Sequence, residues 1–173
     1  TLAYGDTVTG EITDENYEVP YTFEGTAGDV IVVEMTMLEE GLDPFLQLKN
    51  AEGEVISFND DGGVGLNSVM GPIVLPADGI YTIVATRYMQ ADGGSVGSFE
   101  LTLSRSEITP IALNEQVTAT LDAENTRVAF MYSNDGENIL HLMGTTTLPE
   151  DTVPQIYIEV SDTEGNMLTS SYL

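Results

Sequence analysis

The chain of 173 residues reads as an all-β protein, a sandwich or a barrel, on three observations. Short runs of alternating apolar residues recur between clusters of Gly, Asp, Asn and Pro, the spacing of strands joined by turns. Helical periodicity is weak throughout. One pattern is also written nearly twice, which is the signature of a tandem array. An apolar content of 42% is enough for a packed core, and the length suits one large domain or two small ones.

Taken in order, the first unit is expected to hold eight strands, near 7–12, 17–24, 29–37, 44–49, 54–58, 68–75, 79–88 and 97–104. Ile31, Val33, Met35 and Met37 share one strand face, as do Tyr81, Ile83 and Ala85, and Phe99, Leu101 and Leu103. Tyr17, Tyr21, Phe23, Phe45, Tyr81 and Phe99 stand at strand positions expected of a core. The segment SEITP at 106–110 follows the eighth strand, and Pro110 cannot continue a central ladder, so a boundary falls there. The expected organisation is a complete unit over 1–105, a linker over 106–110 and a partial unit over 111–173. In that partial unit strands are expected near 115–121, 126–133, 137–146, 155–161 and 166–172.

The repeat supports this division. Adding 109 carries Val8, Thr9, Glu15, Asn16, Val19 and Thr36 onto Val117, Thr118, Glu124, Asn125, Val128 and Thr145. Adding 112 carries Phe45, Leu46, Leu48, Glu52 and Gly53 onto Tyr157, Ile158, Val160, Glu164 and Gly165. The first copy runs on through three further strands that the second does not match. Half a sandwich would expose an apolar face and an unpaired edge. Three readings of the short second unit stay open: completion by a neighbouring chain, continuation beyond Leu173, or a small domain complete as it stands.

Charge narrows the partners. Twenty-nine acidic residues face only Lys49, Arg87, Arg105 and Arg127, for a formal charge of −25. So large a charge repels itself in a compact body, and divalent metal, high salt or simple spreading over the surface relieves it. Nucleic acid is excluded as a partner, because phosphate binding needs clustered Lys and Arg. No run of about 18 apolar residues spans a membrane, and with no cysteine there is no disulfide framework to read.

Three blocks carry a family likeness: LDPFLQLKNAEGEVISFNDDGG at 42–63, LPADGIYTIVAT at 75–86 and GSFELTLS at 97–104. In order and spacing they resemble the bacterial pre-peptidase C-terminal domain family over nearly all of residues 1–105. The second unit resembles the first half of the same domain with its distinctive motifs worn away. The resemblance implies tandem jelly-roll-like antiparallel β-sandwiches, the second incomplete within this chain. It also implies a secreted prokaryotic protein, extracellular or at the cell surface, without catalysis of its own and with calcium in several members.

Carried over through that likeness, Asp43 of LDP and Asp60 and Asp61 of NDD fall on the acidic positions associated with metal. The residue chemistry is compatible, since calcium takes six to eight oxygen ligands and carboxylates beside glycine-freed carbonyls supply them. Asn59 can add a side-chain oxygen, and Asp14, Glu15 or Asn16 can contribute from the first hairpin. The plainer alternative is that Asp43 opens a turn before Pro44 and that NDDGG is an ordinary acidic loop. The second unit carries Gln155 and Tyr172 where the first has Asp43 and Asp60, so the site is not copied.

Catalytic signals are weak. Residues 93–97 satisfy G-x-S-x-G around Ser95, but the segment precedes a strand, whereas a nucleophile elbow leads into a helix. The single histidine, His141, alternates with Ile139 and Met143 as a strand residue does. Tyr88 and Met89, just after a strand, suggest a surface contact patch. The functional expectation is a calcium-stabilised structural subunit of an extracellular filament or surface layer. It would polymerise with its own kind as a neighbour adds strands to the second unit. The alternative is an accessory module of a secreted peptidase or other hydrolase, binding an extracellular polymer or assisting secretion.

Overall fold

A computed structural model describes residues 1–112, 115–120, 128, 130–132, 157–162 and 167–172. They fall into two compact units that divide after Ser106.

The first unit contains eight strands: β1 (Thr7–Ile12), β2 (Glu18–Gly25), β3 (Val30–Met37), β4 (Pro44–Lys49), β5 (Val55–Asn59), β6 (Ser68–Val74), β7 (Gly79–Arg87) and β8 (Gly97–Arg105). A short 3₁₀ turn, Gln90–Asp92, interrupts the last connection. Two four-stranded sheets form, ordered β1-β8-β3-β6 and β2-β7-β4-β5, with every pairing antiparallel. This is the strand order of a jelly roll, in which two Greek keys wrap one sheet against the other. The all-β expectation and all eight strand positions of the first unit are borne out.

Alternation decides which side chains fill the space between the sheets. Ile31, Val33 and Met35 from β3, Leu101 and Leu103 from β8, Leu46 and Leu48 from β4, and Tyr81, Ile83 and Ala85 from β7 are all buried in one core. Phe23 stacks on Tyr81 at a centroid distance of 5.5 Å, and Phe99 meets Tyr21 edge-on at 6.4 Å. Phe45 departs from expectation. With Leu46 and Leu48 committed inward, its parity places it on the outer face, half-buried and stacked on the exposed Phe58 at 6.0 Å.

The antiparallel order sends the four connections β1–β2, β3–β4, β5–β6 and β7–β8 to one end of this unit. The opposite end is clasped around buried Asp29. The Tyr4 hydroxyl donates to its Oδ2 at 2.8 Å, the Thr26 N–H donates to the same oxygen at 3.1 Å, and the Arg105 guanidinium lies 2.9 Å from Oδ1.

The second unit, within its described residues, contains β9 (Thr109–Ile111) paired parallel with β10 (Phe130–Tyr132), and β11 (Tyr157–Ser161) paired antiparallel with β12 (Met167–Tyr172). Residues 115–120 form no strand, contrary to expectation. A short strand instead begins at Thr109, inside the segment read as a linker. Pro110 is tolerated there because β9 has a ladder partner on one side among the described residues. The strand expected at 137–146, with His141, lies outside the described residues.

Both second-unit ladders reproduce first-unit pairings. Leu46↔Asn59, Gln47↔Phe58, Leu48↔Ser57 and Lys49↔Val55 become Ile158↔Ser171, Glu159↔Ser170, Val160↔Thr169 and Ser161↔Met167 on adding 112 to each number. The register shift between Leu48 and Lys49 recurs between Val160 and Ser161. The isolated parallel bridge Leu2↔Phe23 becomes Ile111↔Tyr132 on adding 109.

Candidate metal centre

Asp43 precedes β4, and its backbone is pinned on both sides. Its N–H donates to Ser95 Oγ at 3.1 Å, and its carbonyl accepts from the Tyr88 N–H at 2.9 Å. The carboxylate is therefore held beside the loop that leaves β5.

That loop is shaped by Asn59. Its Oδ1 accepts from the Gly62 N–H at 2.9 Å, the Val69 N–H at 3.1 Å and the Ser68 hydroxyl at 3.2 Å. The same hydroxyl lies 2.9 Å from the Asn59 carbonyl. The turn is tight, and a Cβ on Gly62 would sit 2.7 Å from the Asn59 side chain. Closing the loop in this way brings Asp60 and Asp61 up to Asp43.

One carboxylate oxygen from each of Asp43, Asp60 and Asp61 lies within 4.8 Å of the others. Asp43 Oδ1 and Asp60 Oδ1 are buried and accept no hydrogen bond. Burial raises the Asp43 carboxyl above the usual carboxylate range, and the Asp61 charge adds to the effect. Asp60 is raised by burial first, then by Asp61 and Asp43. Two buried, desolvated acceptors beside a third carboxylate are unfavourable unless a cation or a proton compensates them.

These residues fit a hard cation. Two oxygens each about 2.4 Å from one calcium ion stand no more than about 4.8 Å apart, a condition that each pair among the three carboxylates meets. The donor set is oxygen alone, which suits calcium or magnesium and not a softer metal.

The remaining candidate residues stand apart from the cluster. Asp14 is exposed and paired with Arg87 at 2.8 Å. The Thr13 N–H bonds to the Asn16 carbonyl and the Asn16 N–H to Thr13 Oγ, so this hairpin is closed on itself. Glu15 is exposed and outside the carboxylate group. Asn59 supports the site by shaping the loop, its Oδ1 being committed to three donors.

Two residues to which sequence reasoning gave no part at this site hold it together. Arg87, 3% exposed, donates to Asp14, to the Gln90 carbonyl at 2.8 Å and to the Ser95 carbonyl at 3.2 Å, with its guanidinium over the Tyr17 ring. The signal was present: position 87 continues the inward parity of Tyr81, Ile83 and Ala85, and an arginine on a core parity requires partners. Ser95 is bound into this framework through Asp43, and its loop leads into β8, so it has none of the surroundings of a nucleophile elbow.

No family model matches the chain, and no curated protein matches it. Among solved structures it is similar to the pre-peptidase C-terminal domain of a collagenase from Bacillus anthracis. That match has 17% identity over 58% of this chain and 90% of that one, with a TM-score of 0.48. It is also similar to Aeromonas hydrophila PliG, a periplasmic inhibitor of g-type lysozyme, at 22% identity over 60% of this chain and 88% of that one, with a TM-score of 0.43. The jelly-roll assignment rests on the strand order itself.

Proposed function

We propose that this chain is a non-catalytic, calcium-stabilised β-sandwich protein of a prokaryotic extracellular or cell-surface assembly. In this reading its first unit is a module of the pre-peptidase C-terminal kind, and its second is a diverged partial copy. The observation that carries the proposal is the pair of buried oxygens, Asp43 Oδ1 and Asp60 Oδ1, that no donor satisfies and that cluster with Asp61. A calcium ion held by these three residues supplies the missing charge compensation. Binding only to the folded state, it adds to stability.

The partial copy is supported by the two ladders that repeat first-unit pairings at offsets of 109 and 112, one with its register shift. The assembly is supported by charge. Chains at −25 repel one another, and divalent ions reduce that repulsion. The second unit is the part that accepts a neighbour by strand addition. Among its described residues it forms two-stranded ladders, which are marginal alone.

Calorimetry tests the metal. Calcium binds the intact chain and fails to bind Asp60→Ala, whereas unchanged affinity in the variant overturns the assignment. Sizing and electron microscopy test the assembly. Polymers in calcium that disperse in chelator are expected, and a monomer under both conditions sinks that part of the proposal.

A further inference from the structure

We propose that the loop end of the first unit is a docking surface for a basic polypeptide segment, which places a lysine or arginine side chain in a groove beside Asp43. The docking stands apart from the calcium reading, and only its sensitivity to calcium rests on it.

Exposed apolar side chains concentrate at this end. The first unit has nine large exposed hydrophobic residues, and six of them, Leu38, Val64, Leu66, Tyr88, Met89 and Val96, lie on the β3–β4, β5–β6 and β7–β8 connections. Scattered surface hydrophobics need no explanation, but a concentration on adjacent loops marks an interaction site. Met89 and Gln90 hold positive φ angles of 59° and 49°. Residues other than glycine pay strain for that conformation, and here it carries Tyr88 and Met89 out into solvent.

Between the β3–β4 and β5–β6 connections lies a groove of about 370 Å³, lined by Met37, Leu42 and Leu66 together with Glu40, Gly41 and Asp43. That volume sits at the small end of the range for ligand sites, about 300–1,000 Å³. An apolar lining with two acids suits an amphipathic side chain. A lysine or arginine lays its aliphatic stem on Met37, Leu42 and Leu66 and brings its charged head to Glu40 and Asp43.

Charge selects the occupant. The first unit has three basic residues. Lys49 and Arg105 end β4 and β8 at the opposite pole, and Arg87 is buried, with its Nε and Nη1 donors bound to Gln90, Asp14 and Ser95. The loop end is therefore acidic and apolar without an exposed cation of its own. An anionic membrane and a second copy of this chain at −25 are both repelled, while a basic segment is steered in. Calcium on Asp43, Asp60 and Asp61 occupies one of the two groove acids and cancels local charge, so docking weakens when the metal binds.

The test is fluorescence anisotropy of the full chain with a labelled synthetic peptide of lysine, leucine and glycine, at physiological salt in chelator. Saturable binding is expected, with Glu40→Gln and Leu66→Asn each weakening it about tenfold, the scale of a lost interface anchor. Both positions are exposed, so folding is preserved. Glu52→Gln, at the opposite pole, removes the same charge and leaves affinity within about twofold. An equal loss at Glu52 reduces the effect to general attraction and overturns the proposal. So does the absence of peptide binding, or calcium-dependent capture by phosphatidylserine vesicles in its place. Calcium is expected to lower peptide affinity. Unchanged affinity while calorimetry still detects calcium overturns the competition, and the absence of any calcium heat refutes the metal reading while the contrast between Glu40 and Glu52 still decides the docking.

Discussion

At Asp29 three groups converge on one carboxylate, and they hold it below the usual range against the opposing effect of burial, the Tyr4 hydrogen bond foremost. Burial first, and then the same contact, push the Tyr4 phenol up to about 12. Because the folded pKa of Asp29 lies below its unfolded value of about 3.9, its stabilisation is complete above that pH and is lost as pH falls through the folded value. Asp29→Asn is expected to cost about 2 kcal/mol at neutral pH, as for a hydrogen-bonded charge. In urea unfolding the difference from wild type shrinks below about pH 4. Asp43 and Asp60 have the opposite sign. Their raised carboxyls make the metal-free protein lose stability as pH climbs from about 3.9 through the folded values. Asp60→Asn therefore raises the unfolding temperature in chelator and lowers it in calcium, a reversal that differential scanning fluorimetry reads directly. A change of the same sign in both buffers contradicts the metal assignment.

At the scale of elements, the β5–β6 loop depends on Asn59. Asn59→Ala leaves the Val69 N–H without its side-chain acceptor, which costs about 2 kcal/mol, the scale of an unsatisfied part-buried donor. It also releases Asp60 and Asp61 from Asp43, so calcium affinity falls about tenfold or more while all three carboxylates remain. Urea midpoints and calorimetry on the same sample check both effects. The strands that frame this loop were legible because a sandwich buries alternate residues, which leaves a period of two in each run. Their partners were not: β1 lies against β8, with Thr7 opposite Thr102, and nothing local in either run names the other. Phe45 was misplaced because aromatic identity was weighed above parity, although Leu46 and Leu48 had already claimed the inward side. The approach of Asp43 to Asp60 and Asp61 came through the family likeness. The two unsatisfied oxygens came from the packing, since desolvation depends on what covers an atom and not on its spacing in sequence.

For the molecule as a whole, the formal charge of −25 makes stability sensitive to every ion in solution. In chelator, raising sodium chloride shortens the Debye length from about 30 Å at 0.01 M to about 8 Å at 0.15 M, and the unfolding temperature should climb as self-repulsion is screened. Calcium at matched ionic strength should raise it further, because it occupies a site and does more than screen. If calcium does no better than sodium, the cluster holds no specific ion. The clasp at Asp29 has a mechanical meaning as well. The chain enters β1 and leaves β8 at the same pole, and these strands are direct antiparallel neighbours. Tension applied through the two termini of this unit would peel that ladder one hydrogen bond at a time, the weak direction for a sheet, and the ties from Tyr4 and Arg105 to Asp29 are the first to feel it. The carboxylate loops at the other pole lie off the line of force, so a bound ion there would harden the unit against heat far more than against pulling.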